Sequence, residues 1–287
     1  MAKSDQRFLW KIILIITPLI ACVPASPEVP SAEAAAPIAT PENTLPAYWI
    51  PSLSDSFQWQ LSDYPIDLSI AMDIYDIDLF EAPQNVIEFL HEAGKNVICY
   101  INVGAWERYR PDAGEFPAEV IGKQYQEWPG ERWLDIGNYE IFSGLISARF
   151  DLAASKGCDG IEPDNINGFQ EDTGFTITVH DQLAYNIWLS QQAHLRGLSI
   201  GLKNDNHQAT DLVDHFDFAI LEDCAVFDEC ADFLPFIERG KAVFQVEYTD
   251  NFGSGDDFCP AAAINRFYGI LKNRELDAWI EPCPSAK

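Results

Sequence analysis

The sequence predicts a single-domain (β/α)8 barrel, a TIM barrel, on three observations. Past an N-terminal leader and linker, about 240 residues remain, close to the roughly 250 that such a barrel needs. From Phe57 onward, apolar or β-branched runs of four to eight residues alternate with amphipathic, helix-like stretches. No GxGxxG or Walker loop follows the first strand, where an open doubly wound sheet usually carries one. Composition agrees with a packed core: of 287 residues, 47% are hydrophobic and 22% charged.

The elements follow in chain order. Lys3, Arg7 and Lys11 give a positive start, and the apolar run Ile12–Val23 comes next. That run falls short of the roughly 18–20 residues needed to span a bilayer, so it reads as a signal peptide. Leu19-Ile20-Ala21-Cys22 resembles the bacterial lipobox. The resemblance implies a leader over 1–22, lipid on Cys22, and an exported protein held at the cell envelope membrane by that lipid. Residues 23–46 are rich in Pro and Ala, a composition that extends a chain without building a core, and form a tether. The folded domain is expected over 47–287.

Eight strands are expected: Phe57–Gln60, Leu68–Tyr75, Asn96–Asn102, Cys158–Asp164, Leu198–Lys203, Phe216–Glu222, Ala242–Tyr248 and Ala278–Glu281. Helices are expected over Pro83–Ala93, Thr178–Arg196 and Leu234–Arg239, each followed by a stop glycine: Gly94, Gly197 and Gly240. The longest connection, 103–157, holds Trp106, Trp128 and Trp133 and is expected to build much of the rim.

Seven cysteines are present, and six remain if Cys22 carries lipid. An even number suits disulfides in an oxidising compartment, although six cysteines permit 15 pairings. Cys224 and Cys230 are close enough to close one loop. Cys259 and Cys283 both precede Pro near the end of the chain. Cys99 and Cys158 meet only if their strands are neighbours, and are otherwise two buried thiols. The scattered histidines form no HxH or HExxH and there is no CxxC, so neither metal nor cofactor is expected.

The chain has 18 Lys and Arg against 45 Asp and Glu, a formal charge of −27. That charge repels phosphate and excludes a generic nucleic-acid binder. It attracts a cationic ligand, or simply keeps the protein soluble. A monomer is expected.

In a TIM barrel the chemistry sits at the C-terminal strand ends. Those ends are acidic here, while the strand bodies are almost free of charge. Two carboxylates across a cleft are the minimum apparatus of glycoside hydrolysis. Side chains alternate along a strand, so Glu162 and Asp164 share one face, and so do Gln245 and Glu247. Asp164 and Glu247 are the expected catalytic pair, in no fixed order, with Glu162 as an alternative member. Lys203 and Asn204 are expected to fix sugar hydroxyls or tune a carboxylate. Asp73 is expected in the pocket, with Asp76 and Asp78 as solvated loop residues. Glu222 is open to either a pocket or a structural role. Flat rings stack on apolar sugar faces, which brings in Tyr75, Tyr100, Trp106 and Tyr248. Asn102 at the end of its strand completes the substrate-binding set.

The runs Gly94–Glu107, Trp133-Leu134-Asp135-Ile136, Lys156–Asn165 (with Gly-Cys-Asp-Gly-Ile-Glu-Pro-Asp-Asn) and Gly201-Leu202-Lys203-Asn204-Asp205 resemble glycoside hydrolase family 114. Its type activity is endo-α-1,4-polygalactosaminidase. The resemblance implies a TIM barrel, a metal-independent hydrolase and a galactosamine-containing polymer as substrate. Asn167 departs from the family pattern Asp-Asn-Ile-Asp-Gly, which has an acid there. A polymer of unacetylated galactosamine is polycationic near neutral pH, and a strongly acidic domain attracts it. The competing reading is a surface lipoprotein that binds a cationic glycan without cutting it.

Overall fold

Eight parallel strands follow one another in chain order around a nearly closed barrel in the computed structural model, which describes residues 48–126 and 128–284. The predicted leader with Cys22, and the linker to residue 46, lie outside the described residues. The strands are β1 (Phe57–Gln60), β2 (Ile74–Asp78), β3 (Asn96–Asn102), β4 (Gly160–Asp164), β5 (Ser199–Lys203), β6 (Phe218–Glu222), β7 (Val243–Tyr248) and β8 (Tyr268–Lys272). A ninth, β9 (Ile280–Pro282), pairs antiparallel to β8.

Two expectations are corrected. The eighth barrel strand is Tyr268–Lys272, and the Ala278–Glu281 run becomes part of the antiparallel addition. Both runs are short and apolar, and composition does not rank them. The second strand starts at Ile74 rather than Leu68 and runs to Asp78. That shift carries Asp76 and Asp78 out of the expected loop and into the buried wall.

No backbone ladder joins β1 to β8 among the described residues; just beyond the two strands the Leu61 and Ser62 amides donate to the Leu276 carbonyl at 2.9 and 3.1 Å, and side chains add to the closure. Inside the barrel Phe57 of β1 stacks on Phe244 of β7 with ring centroids 4.4 Å apart. Lys272 Nζ donates to Gln58 Oε1 at 3.2 Å and to the Asp277 carbonyl at 2.7 Å. Burial lowers the Lys272 pKa to about 7.

The helices cover the outside. Helix α1 (Gln84–Glu92), α2 (Ser143–Lys156) and α3 (Val179–His194) are the longest. Thr178 opens α3 with a reciprocal capping box to Asp181, as a Thr-x-x-Asp start allows. The core has two layers. Ile77, Cys99, Ile101, Ile161, Leu202, Leu221, Val243 and Leu271 pack outward against the helices. Phe57, Trp59, Ile74, Ile98, Phe218, Ile220, Phe244, Val246 and Ile270 fill the barrel. Both faces of the eight parallel strands are therefore buried, as parallel sheets require.

Three disulfides form: Cys99–Cys158, Cys224–Cys230 and Cys259–Cys283. The first joins β3 to Cys158, two residues before the neighbouring β4, and spans 59 positions of sequence. Within that span lies a three-stranded antiparallel sheet (Ala105–Glu107, Ile121–Gln124, Glu131–Leu134) on the rim. Gly104 lets the chain leave β3 against the next loop, because a Cβ there would sit 1.7 Å from the Asn165 carbonyl oxygen.

Candidate active site

Strand register decides which side chains reach the barrel interior. Val246 lies level with Glu222 on one side and Ile270 on the other, and all three point inward. Gln245 is level with Leu221, and Glu247 with Leu271, both of which belong to the outer layer. The expectation that Glu247 faces the pocket is thus reversed. It accepts from Gln245 Nε2 at 2.8 Å and from the Ala225 amide at 2.9 Å. Burial pushes its pKa up to about 7.

The same register brings Asp76, Glu162, Asp164, Lys203, Glu222 and Tyr248 together. Lys203 is the hub. Its Nζ lies 2.7 Å from Glu162 Oε1, 3.0 Å from Asp164 Oδ1 and 3.0 Å from Glu222 Oε2, and 4.5 Å above the ring of Trp59. Burial alone would lower the lysine pKa, but Asp164, Glu162 and Glu222 hold it well above the usual value.

Beneath the hub, Asp76 and Glu162 are both fully buried, and neither Asp76 oxygen has a hydrogen-bond partner among the described residues. Two buried carboxyl groups that act on each other in this way oppose joint ionisation. Burial and Glu162 push the Asp76 pKa far up; burial lifts Glu162 to about 7 against the pull of Lys203. Asp76 is therefore the member of the pair held toward its neutral form, and Glu162 is the one that faces the lysine.

Above the hub, a cleft of about 1190 Å³ opens at the C-terminal strand ends. Asp164 and Glu222 both line it. Asp164 Oδ2 accepts from Tyr100 Oη at 2.8 Å and from Asn165 Nδ2 at 3.2 Å. Glu222 is bonded to the Tyr248 hydroxyl and weakly to Asn204 Nδ2 at 3.4 Å. Because one Nζ holds both acids, their nearest oxygens lie at most about 6 Å apart.

The two walls differ. On one, Arg110 forms a bidentate pair with Asp78 (2.9 and 2.6 Å) and reaches Glu107 at 2.7 Å. Tyr109 Oη bridges Glu107 and Glu131, and burial raises Glu131 to about 7. Trp128 and Trp133 complete that side. On the other, Arg274 joins Asp223 at 2.9 Å and Asp250 at 2.6 Å, with its guanidinium 4.1 Å from the Tyr248 ring centroid.

Of the residues expected from sequence, Asp164, Tyr100, Lys203, Asn204, Glu222 and Tyr248 line the cleft. Glu162 lies one layer below. Asn102 is buried beneath the wall, where its Nδ2 donates to Glu131 at 3.2 Å. Three are corrected. Asp73 sits at the opposite end of the barrel, its side chain 56% exposed and bonded to Ser56. Tyr75 faces outward and its hydroxyl bonds the Ile70 carbonyl. Trp106 donates to the Ala113 carbonyl at 2.9 Å and packs on the outer core. Asp76, Asp78, Glu107, Arg110, Glu131 and Arg274 were not legible as site residues; an Arg-acid pairing across 32 positions has no local sequence signal.

Among the described residues, the one group of possible metal-ligating side chains is Cys224, Cys230 and Glu247, and its two sulfurs are bonded to each other. None of the described helices is long and apolar enough to cross a membrane.

A model of the glycoside-hydrolase family GH114 matches residues 38–287. No curated protein sequence matches the chain. Among solved structures, Aspergillus fumigatus Ega3 in complex with galactosamine is 33% identical with a TM-score of 0.77, covering 82% of this chain and 97% of that one. The glycoside hydrolase domain of PelA from Pseudomonas aeruginosa is 13% identical with a TM-score of 0.63, covering 79% of this chain and 97% of that one. The second likeness is one of fold.

Proposed function

The chain belongs to glycoside hydrolase family GH114 and is a glycosidase, and from that premise we propose that it cleaves α-1,4 bonds in a galactosamine polymer with Asp164 and Glu222 as its acid pair. The observation that carries the assignment is the shared Lys203: it holds both carboxylates at the cleft floor at 3.0 Å, whereas Glu247 is behind the strand.

Asp164 is the nucleophile in this reading. Lys203, Tyr100 and Asn165 all donate to it and fix its carboxylate at the cleft floor. Glu222 has the more open side chain, 27% against 19% exposed, and is the acid and base. Glu222 gives its proton to the leaving glycosidic oxygen while Asp164 bonds to the anomeric carbon. Glu222 then takes a proton from water, which attacks that carbon and frees Asp164. The close spacing of the pair favours this retaining course, because an inverting pair stands roughly 6.5–9.5 Å apart to admit water.

The amino sugar is supported by the galactosamine bound in the similar Ega3 structure and by the chain's charge of −27, which attracts a polycation. Endo action is supported by the family resemblance. Export and lipidation at Cys22 are supported by the positive start, the short apolar run and the Leu-Ile-Ala-Cys sequence; mass spectrometry of the mature N-terminus checks them.

The test is release of oligosaccharides from an α-1,4-galactosamine polymer. The protein is expected to release them, with Asp164→Asn and Glu222→Gln each reducing the rate at least a thousandfold while Glu247→Gln does not. Loss in Glu247→Gln with retention in Glu222→Gln would overturn the pair.

A further inference from the structure

The turn that follows Glu222 shows a side of the cleft that the acid pair does not explain. Cys224–Phe227 makes a single helical turn directly after β6 and Asp223. Its tip presents Val226 and Phe227 to the cleft, 43% and 65% exposed. A single exposed apolar residue is ordinary. Here the turn bearing two of them is pinned from every direction. The Cys224–Cys230 disulfide closes it across six positions. The Ala225 amide is held by Glu247 at 2.9 Å. Asp223, just before it, is held by Asn251 and Arg274, both at 2.9 Å. Asp223 and Asp228, which bracket it, take left-handed φ of 52° and 60°, a conformation costly for non-glycine residues and kept only where the surroundings enforce it. The fold thus fixes an aromatic ring at the cleft edge without burying it.

We propose that the 224–227 turn is the platform of a subsite for the leaving-group amino sugar, with Phe227 stacked on the apolar face of that ring and Val226 beside it. The proposal rests on Glu222 being the acid: the sugar that departs with its proton lies next to the loop that leaves Glu222. The charge of this wall fits a cationic sugar. Glu222, Asp223, Asp250 and Glu275 line it, four acids against Arg274, which pairs with Asp223 and Asp250, and Lys203 at the floor, which pairs with Glu222. The buried Glu247 is then a positioning residue for the turn, which gives it a role without contact to substrate.

The experiment measures binding of a galactosamine oligomer to the full chain carrying Glu222→Gln, with and without Phe227→Ala. Stacking of this kind is worth roughly a 3- to 10-fold change in Kd. Phe227→Ala is expected to weaken binding by that factor and Phe227→Trp to restore it. On the active protein, Phe227→Ala is expected to lower kcat/KM for the polymer by a similar factor. The ring is exposed, so the variant keeps its fold, and thermal melting verifies this. Equal Kd with and without the ring, while the unaltered protein hydrolyses polymer, would overturn the platform alone. If the unaltered protein releases no product and Glu222→Gln binds no oligomer, the glycosidase reading of the cleft fails and the platform fails with it.

Discussion

Lys203 Nζ lies 2.7 Å from Glu162 Oε1 with both side chains buried, so the cation that serves the cleft is anchored from below. Removing one partner of such a pair strands the other's charge, at a cost of about 3–5 kcal/mol. Lys203→Met is expected to destabilise by that amount and to abolish turnover, since it leaves Glu162, Asp164 and Glu222 facing one another. Adding Glu162→Gln to Lys203→Met is expected to recover part of the lost stability but none of the activity. Thermal melts and product assays on the two single variants and the double variant give the coupling.

Burial and Glu162 hold the Asp76 pKa well above the usual carboxylate range and so favour its neutral form. Asparagine is neutral, close to it in shape, and also a donor. Asp76→Asn is therefore expected to keep activity within about threefold and stability within about 1 kcal/mol. Asp76→Ala removes the donor and opens a small void, and is expected to cost about 2–3 kcal/mol. Chemical denaturation and steady-state kinetics check both.

Glu247 connects stability to pH. Its folded pKa of about 7 exceeds the unfolded value of 4.5 because of burial. The folded state therefore keeps a proton that the unfolded chain has released between those values. The stabilisation is fully present below about pH 4.5 and is lost as pH rises through 7. Glu247→Gln removes this term. Its melting temperature is expected to decline less than that of the unaltered protein between pH 5 and 8, with a gain of up to about 3 kcal/mol at the upper end. Its turnover is expected to stay within about twofold, because glutamine still offers an oxygen to the Ala225 amide.

Tyr100 Oη donates to Asp164 Oδ2 at 2.8 Å. A hydrogen bond to a charged group is worth about 1.5–3 kcal/mol. Tyr100→Phe is expected to lower kcat roughly 10- to 100-fold with little change in KM, because the bond holds the nucleophile rather than the substrate. Single-turnover kinetics separate the two.

Much of this site could be read in the sequence because barrel chemistry collects at strand ends. Asp164, Lys203, Asn204, Glu222, Tyr100 and Tyr248 all lie within the last residues of a strand or the first after it. The sequence motifs also placed the chain in its family. Facing direction was harder. In β7 both faces are buried, so the polar side of Val-Phe-Gln-Val-Glu-Tyr, Gln245 and Glu247, need not be the cleft side; Glu247 was assigned inward when its neighbour Tyr248 is the inward residue. Asp76 and Asp78 read as loop acids because isolated charges rarely enter a barrel wall. What admits them is a pKa pushed well up, which favours the neutral acid, in one case and Arg110, from a distant loop, in the other. The last strand was misplaced because its partner strand, and not its composition, selects it.

The disulfide between Cys99 and Cys158 gives the rim excursion a property of a different kind. A protease that cuts within the rim sheet, between residues 105 and 134, produces two polypeptides still joined by this bond, which ties β3 of the first to the segment just before β4 of the second. Such a nicked molecule is expected to migrate as one species without reductant and as two with it. The wall that meets the outside world is thereby free to be clipped or lengthened, while the machinery below stays joined by a covalent bond that the cut does not touch.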